Sequence, residues 1–128
     1  MRKYIITPAL LAIVCMVMCH CTFNRKASVA ANEYLIQGEL ANLPDSIVIG
    51  LYEEDGNILN CVLRDTLMNG QFSFRDTVST TRKMLIMSDN RGFPGTWLEV
   101  WIAPGEYIEI KGQDKLVKTW EVVSDVPE

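Results

Sequence analysis

The stretch DTLMNGQFSFR, residues 65–75, decides the fold class of this chain. Asn69-Gly70 favours a tight hairpin turn, because both residues accept the positive φ that such turns require. After the turn, Phe72 and Phe74 alternate with polar residues, and successive side chains of a strand point to opposite faces of a sheet. The stretch therefore predicts two short strands joined by a tight turn, with one apolar face buried.

The same alternation recurs along most of the chain after residue 32, and no segment there has a sustained helical period. Turn signals separate the alternating segments at Pro44-Asp45, Asp55-Gly56 and Pro104-Gly105, the last of which is typical of a type II turn. About seven or eight short strands result, which predicts an all-β domain, either an antiparallel sandwich or a partly open barrel. The residues predicted to share buried faces are Tyr34, Ile36, Gly38 and Leu40; Ile47, Ile49 and Leu51; Phe72 and Phe74; Leu98, Val100 and Ile102; and Ile108 and Ile110.

The N-terminus has the pattern of a bacterial export signal of the lipoprotein type. Arg2 and Lys3 precede an apolar run from Tyr4 to Met18, which ends at Cys19-His20-Cys21. A basic segment, a short apolar helix and a cysteine at its end are typical of such signals. The run is short for a spanning helix, which needs about 20 apolar residues, and Pro8 interrupts it. A signal-anchor is the alternative interpretation.

We expect Cys19 to be the lipidated residue, with Cys21 as the alternative, although the residues before each match the usual Leu-Ala-Gly-like tripeptide only loosely. Ordinary signal cleavage after Val29-Ala30-Ala31 is the rival hypothesis. A lipid anchor would hold the protein in the cell envelope, on the outer or the inner membrane, facing the periplasm or the cell surface. The predicted organisation is a signal peptide at 1–18, a flexible tether at 19–32 and a β-sandwich domain at 33–128.

The charge of the chain argues against nucleic acid as a partner. The formal net charge is −4, and it becomes −6 when residues 1–18, with two positive charges, are removed. An acidic domain repels phosphates and offers them no basic stripe.

A single cysteine, Cys61, lies in the predicted domain, so no disulfide within the domain and no Cys-x-x-Cys redox pair is expected. On a regular strand Cys61 shares a face with Leu59 and Leu63, which predicts a buried thiol. Arg64 is expected to point to the opposite face.

No catalytic constellation is recognised in the sequence. The predicted domain has no histidine to act as a general base, and it has no Gly-rich phosphate loop. Cys19-His20-Cys21 is interpreted as part of the tether rather than as a metal site. Glu53-Glu54-Asp55 is interpreted as a solvated turn, because its spacing matches no EF-hand loop. We therefore expect no enzyme activity in this chain, no metal site and no cofactor.

Three aromatic residues form a candidate surface for a ligand or partner: Phe93, Trp97 and Trp101. Both tryptophans are expected on the strand face opposite Leu98, Val100 and Ile102. Aromatic side chains in a row can stack on sugars or anchor a protein. The alternative is that they cover a second core or pack under a loop. Trp120 is expected to plug one end of the sandwich.

The order of these segments resembles an uncharacterised β-domain found at the N-terminus of certain envelope lipoproteins of Gram-negative anaerobes. The resemblance is carried by Tyr34-Leu35-Ile36-Gln37-Gly38, Ser46 to Tyr52, Asp65-Thr66 with Asn69 to Phe74, and Leu98 to Gly112 around Pro104-Gly105. In that family the domain usually precedes a thioredoxin-like, peroxiredoxin-related domain. The resemblance implies that any thiol–disulfide chemistry would lie in such a C-terminal domain, which is not part of this sequence.

These observations lead to the expectation of a non-catalytic, lipid-anchored envelope module. Such a module would bind or position a protein partner or an attached thioredoxin-like domain. The alternatives are a module that binds glycans or small ligands through its aromatic residues, and the N-terminal part of a thiol–disulfide oxidoreductase.

Overall fold

A computed structural model describes residues 28–124, which form two packed four-stranded sheets. The predicted all-β sandwich is confirmed, and the sheets do not close into a barrel. The predicted signal helix, Cys19 and Cys21 lie outside the described residues. The strands are β1 (Glu33–Ala41), β2 (Val48–Asp55), β3 (Ile58–Thr66), β4 (Gln71–Thr77), β5 (Arg82–Met87), β6 (Leu98–Ile102), β7 (Tyr107–Gln113) and β8 (Glu121–Ser124).

The first sheet has the strand order β4-β1-β7-β8, and the second has the order β3-β2-β5-β6. Five of the six strand pairings are antiparallel, whereas β1 and β7 run parallel. A parallel pair needs a long crossover, and here the chain passes between these two strands through β2 to β6, four of which belong to the second sheet. The predicted sandwich is therefore mixed rather than purely antiparallel.

The core lies between the two sheets and is built from the faces that the alternation predicted. Ile36, Ile49, Leu51, Ile108 and Ile110 are completely buried there. Trp120 joins this core and is 4% exposed. Its indole nitrogen donates a hydrogen bond of 3.3 Å to the carbonyl oxygen of Asp114.

The predicted turns are present, and three of the four join strands of different sheets. Gly56 takes a φ of 61° between β2 and β3, and Gly105 takes a φ of 81° between β6 and β7. Asn69 and Gly70 both have positive φ, and the flanking Met68 and Gln71 exchange two backbone hydrogen bonds. The chain then moves from the second sheet into the first, so the tight turn does not continue as a hairpin.

Both ends of the described chain lie at one end of the sandwich, which we call the tether pole. β8 runs antiparallel to β7, and β7 runs parallel to β1, so Ser124 lies beside Ile108, which in turn pairs with Ile36. Residues 28–32, which the sequence assigned to the tether, hydrogen-bond to this pole. The Ser28 carbonyl accepts from Arg75, and the Asn32 carbonyl accepts from the Val78 amide.

Within residues 28–124 the helical structure is a 3-10 turn at Val117–Thr119, and no helix is long and apolar enough to cross a membrane.

Candidate interaction surface

Trp97 and Trp101 lie on the side of the second sheet that faces away from the first. Val100 and Ile102 of β6 are buried in the core, so Glu99 and Trp101 point outward, and Trp97 precedes the strand on the same side. Trp97 is 41% exposed, and Trp101 is partly buried. We call this outer side of the second sheet the tryptophan face.

The pairing of the four strands arranges the side chains of the tryptophan face in three rows, each of which runs across the strands. In the middle row, Cys61 pairs with Tyr52, Tyr52 with Leu85, and Leu85 with Glu99. The row nearer the tether pole contains Leu59, Glu54, Lys83 and Trp101, and the row farther from it contains Arg64, Gly50, Met87 and Trp97. A surface three residues deep and four strands wide results.

The centre of this face is apolar and buried, although it does not belong to the core between the sheets. Leu85 is 2% exposed and Tyr52 is 7% exposed, and neither is part of the main core cluster. Met87 and Trp101, which are partly buried, occupy neighbouring positions on this face.

Tyr52 is fixed in place by a glycine beneath its ring and a carboxylate at its hydroxyl. A Cβ atom at Gly50 would lie 2.5 Å from Tyr52 Cε2, so the ring occupies the space above the glycine. The hydroxyl donates a hydrogen bond of 2.8 Å to Asp89 Oδ2. Burial, together with this hydrogen bond, raises the pKa of Tyr52 to about 12.

The acidic and basic side chains of the face are unevenly matched. Lys83 Nζ lies 3.7 Å from Glu54 Oε2 and 3.9 Å from Glu99 Oε1, so two carboxylates share one ammonium group. The Glu99 side chain is 58% exposed. Arg82 forms a separate ion pair with Glu53 on the opposite side of the sheet. The two carboxylates therefore carry more negative charge than Lys83 neutralises, and Glu99 is one of them.

Cys61 is exposed, so the prediction of a buried thiol is wrong. The register of β2 and β3 shifts where Leu51 pairs with Leu63 and Tyr52 with Cys61, which leaves Val62 as an extra bulge residue. A bulge reverses the facing of the residues on one side of it. As a result Cys61 shares the outer side with Arg64, contrary to the prediction, and Arg64 Nε donates a hydrogen bond of 3.1 Å to Cys61 Sγ.

Phe93 is separated from the two tryptophans. It is partly buried and packs against the core between the sheets. Its loop is held to the start of β2 by the buried Ser88, whose hydroxyl donates to the Val48 carbonyl at 2.7 Å, while Asn90 Oδ1 accepts from the Val48 amide at 2.8 Å. The structure thus brings Trp97 and Trp101 together on one surface and places Phe93 elsewhere.

The outer side of the first sheet carries more polar side chains, although Leu35 and Val123 also lie on it. Gln37, Glu39, Glu109 and Lys111 line a shallow groove there, and the hydroxyl of Tyr107 donates to Gln37 Oε1 at 2.9 Å. Most of these side chains are exposed or partly exposed.

Sequence reasoning did not identify Tyr52 and Leu85 as part of the candidate surface. The signal for Leu85 was the uninterrupted apolar run Met84 to Met87, which is typical of a strand that is covered on both faces. Tyr52 continues the run Ile49 to Leu51 in the same way. The positions of Lys83 and Glu99 relative to each other depend on pairing across strands, which the sequence does not specify.

In residues 28–124, no group of three or more His, Cys, Asp or Glu side chains is placed to hold a metal ion. Comparisons with protein-family models, with curated proteins and with solved structures give no match to this chain.

Proposed function

We propose that this chain is a non-catalytic, lipid-anchored module of the bacterial cell envelope that binds a protein partner through the tryptophan face. The observation that carries the proposal is the pair of tryptophans on the outer side of one edge strand, next to the apolar centre formed by Tyr52 and Leu85. Tryptophan and tyrosine are enriched among the residues that dominate protein interfaces, and Trp97 is 41% exposed.

The proposed anchor agrees with the position of the chain ends. Residues 28–32 reach the domain at the tether pole, and the hairpin tip between β2 and β3 lies at the same pole. The tryptophan face runs along the side of the sandwich. A lipid on Cys19 would therefore leave this face accessible from the side, to a soluble protein or to an attached thioredoxin-like domain of the kind that the family resemblance implies.

Site-specific photocrosslinking in the native cells tests the proposed partner surface. A photoreactive residue in place of Trp97 or Trp101 is expected to give a discrete crosslinked protein species. The matched control is the same group at Gln37, on the polar outer side of the first sheet, where no such species is expected. Equal crosslinking from both sheets, or none from the tryptophan positions, would contradict the proposal.

The anchor is tested separately by metabolic labelling with a fatty acid. Labelling is expected to disappear in the Cys19→Ser variant and to persist in Cys21→Ser. The reverse result would assign the lipid to Cys21, and the absence of labelling in the unsubstituted protein would exclude this type of anchor. The intact mass of the labelled protein shows whether a further domain is attached.

A second candidate function is the binding of a glycan, because the partly exposed indole of Trp97 and that of Trp101 share one face with the charged Glu99 and Lys83. Aromatic faces combined with polar side chains suit sugars. A change in tryptophan fluorescence on adding envelope glycans, lost in Trp97→Ala, would support this function over a protein partner. Unchanged fluorescence would exclude it.

A further inference from the structure

The edge strand β6 has an unprotected side. It is the last strand of the second sheet and pairs with β5 from Leu98 to Ile102 in a continuous antiparallel register. The structure gives its backbone no hydrogen bond to any other described segment. Natural proteins usually protect such edges with proline, lysine, a bulge or a covering segment. β6 has no proline, lysine or bulge, and its five residues include only one charged side chain, Glu99.

Two other edges of the sandwich do show such protection. On β4, the Asp65 carboxylate accepts the backbone amide of Ser73 at 2.8 Å, which occupies the group that an added strand would need. On β3, the register shift at Cys61 disturbs the regular spacing of the edge. The edge of β6 has neither kind of protection.

The charges beside β6 determine what would pair with it. Lys83 is shared between Glu54 and Glu99, so the carboxylate of Glu99 has capacity for a second cation. Opposite charges directly across neighbouring strands are stabilising, and like charges are destabilising. A strand added beside β6 is therefore favoured when it places a lysine or arginine opposite Glu99.

The side chains of β6 alternate between the two faces of the sheet, and this alternation determines which residues are favoured on either side of that cation in an added strand. On the outer side, Trp97 and Trp101 flank Glu99 at two residues on each side, so apolar side chains are favoured opposite both tryptophans. On the inner side, Leu98, Val100 and Ile102 are apolar as well. A second copy of β6, paired about Val100, would place each Glu99 opposite Trp101 of the other copy, and neither carboxylate would gain a cation.

We propose that β6 binds an extended segment of the partner protein as an added strand, with a lysine or arginine opposite Glu99 and apolar side chains opposite Trp97 and Trp101. This inference rests on the proposed function, and it specifies how the tryptophan face recognises its partner. Backbone hydrogen bonds supply affinity in this mode of recognition, and alternate side chains supply specificity.

Synthetic peptides test the proposal on the full chain in detergent micelles. The first peptide has seven residues, with Val, Lys and Val at the second, fourth and sixth positions and Thr at the other four. The second has Glu in place of Lys, and the third is the Lys peptide with alternate backbone amides methylated. Amide hydrogen exchange reports which strand each peptide protects.

The Lys peptide is expected to slow the exchange of β6 amides at millimolar concentration, and the Glu peptide is expected to bind at least about five-fold more weakly. In the Glu99→Lys variant the preference is expected to reverse, which a general loss of folding would not produce. The methylated peptide is expected to give no protection of β6.

Three results would overturn strand addition: no protection of β6 by any peptide, equal binding of the Lys and Glu peptides, or full binding of the methylated peptide. Sedimentation that shows dimers, together with slow exchange of the β6 amides without any peptide, would assign the edge to a second copy instead. If the peptides give one of these results but positions 97 and 101 still crosslink to a protein, the proposed function stands and only strand addition is wrong. Loss of both the crosslinks and the peptide binding would remove both proposals.

Discussion

Tyr52 and Asp89 are 37 residues apart in the sequence, and the tyrosine hydroxyl donates a hydrogen bond of 2.8 Å to the aspartate carboxylate. The bond joins β2 to the loop that follows β5, and so it helps to fix the edge of the tryptophan face. We expect Tyr52→Phe to lower the free energy of unfolding by about 1 kcal/mol, the usual net value for one hydrogen bond. Urea unfolding measures this change in the free energy of unfolding, and Tyr107→Phe is the control. Tyr107 bonds to Gln37 at a more exposed position, and a larger loss there would contradict this account.

Two tyrosines are expected to titrate well above the ordinary value of 10.0. Burial, followed by the nearby Asp76, raises the pKa of Tyr34 to about 12, and burial with the Asp89 bond does the same for Tyr52. Ultraviolet absorbance at about pH 11 should therefore show both phenols still protonated in the folded protein. Titration of every tyrosine near pH 10, with the protein still folded, would contradict the burial of these rings.

The same pKa values predict that the free energy of unfolding falls at alkaline pH. The pKa of each tyrosine is higher in the folded protein than in the unfolded chain. Its contribution to the free energy of unfolding is therefore complete below pH 10.0 and is lost as the pH rises from about 10 to about 12. The free energy of unfolding should fall over that interval. The fall should be smaller in Tyr52→Phe, which lacks one of the two groups. An equal fall in the variant would show that other groups cause it.

Gly38→Ala is expected to be strongly destabilising. A Cβ atom at Gly38 would lie 2.0 Å from Phe72 Cε1, and Phe72 is itself only 3% exposed within the core. Displacing a packed ring costs about 1–3 kcal/mol. The control is Gly95→Ala, since a Cβ atom there has nothing within 4 Å, and we expect a change below about 0.5 kcal/mol. Thermal or urea unfolding that ranks the two variants equally would contradict the packing.

Removing the Ser88 hydroxyl is expected to loosen the loop between β5 and β6. The hydroxyl is buried and donates to the Val48 carbonyl, so Ser88→Ala leaves that carbonyl without this partner and should cost about 1–2 kcal/mol. Hydrogen exchange of the loop amides should accelerate as well. Ser79→Ala, on an exposed turn, serves as the control and should leave both measurements unchanged.

Cys61 should react with an alkylating reagent in the folded protein nearly as fast as in urea, because its side chain is exposed. Peptide mapping by mass spectrometry separates its label from those of the other cysteines. Strong protection in the native state would restore the buried position that the strand alternation predicted.

The faces of the strands could be predicted from the sequence because alternation is a local property. Ile36, Ile49 and Ile108 are buried where the period of two places them. The prediction for Cys61 failed because it assumed an uninterrupted period, and the bulge at Val62 arises from pairing with β2. Nothing in the residues near Cys61 marks the point where that pairing shifts.

The candidate surface could be predicted only in part for a related reason. The alternation along β6 specified the common side of Trp97 and Trp101, since both belong to one short segment. The contribution of Tyr52, the position of Lys83 between two carboxylates and the separation of Phe93 all depend on contacts between distant segments. The parallel pairing of β1 with β7 was missed for the same reason, because no local motif encodes which strands become neighbours.

The shared pole of β1 and β8 has a mechanical consequence. If tension is applied between the start of β1 and the end of β8, the pull acts across the strands rather than along them. The bonds of β8 to β7, which extend over four residue pairs, would then open one after another instead of breaking together. A protein held by its ends in this way yields at low force, and β8 is the strand that gives way first.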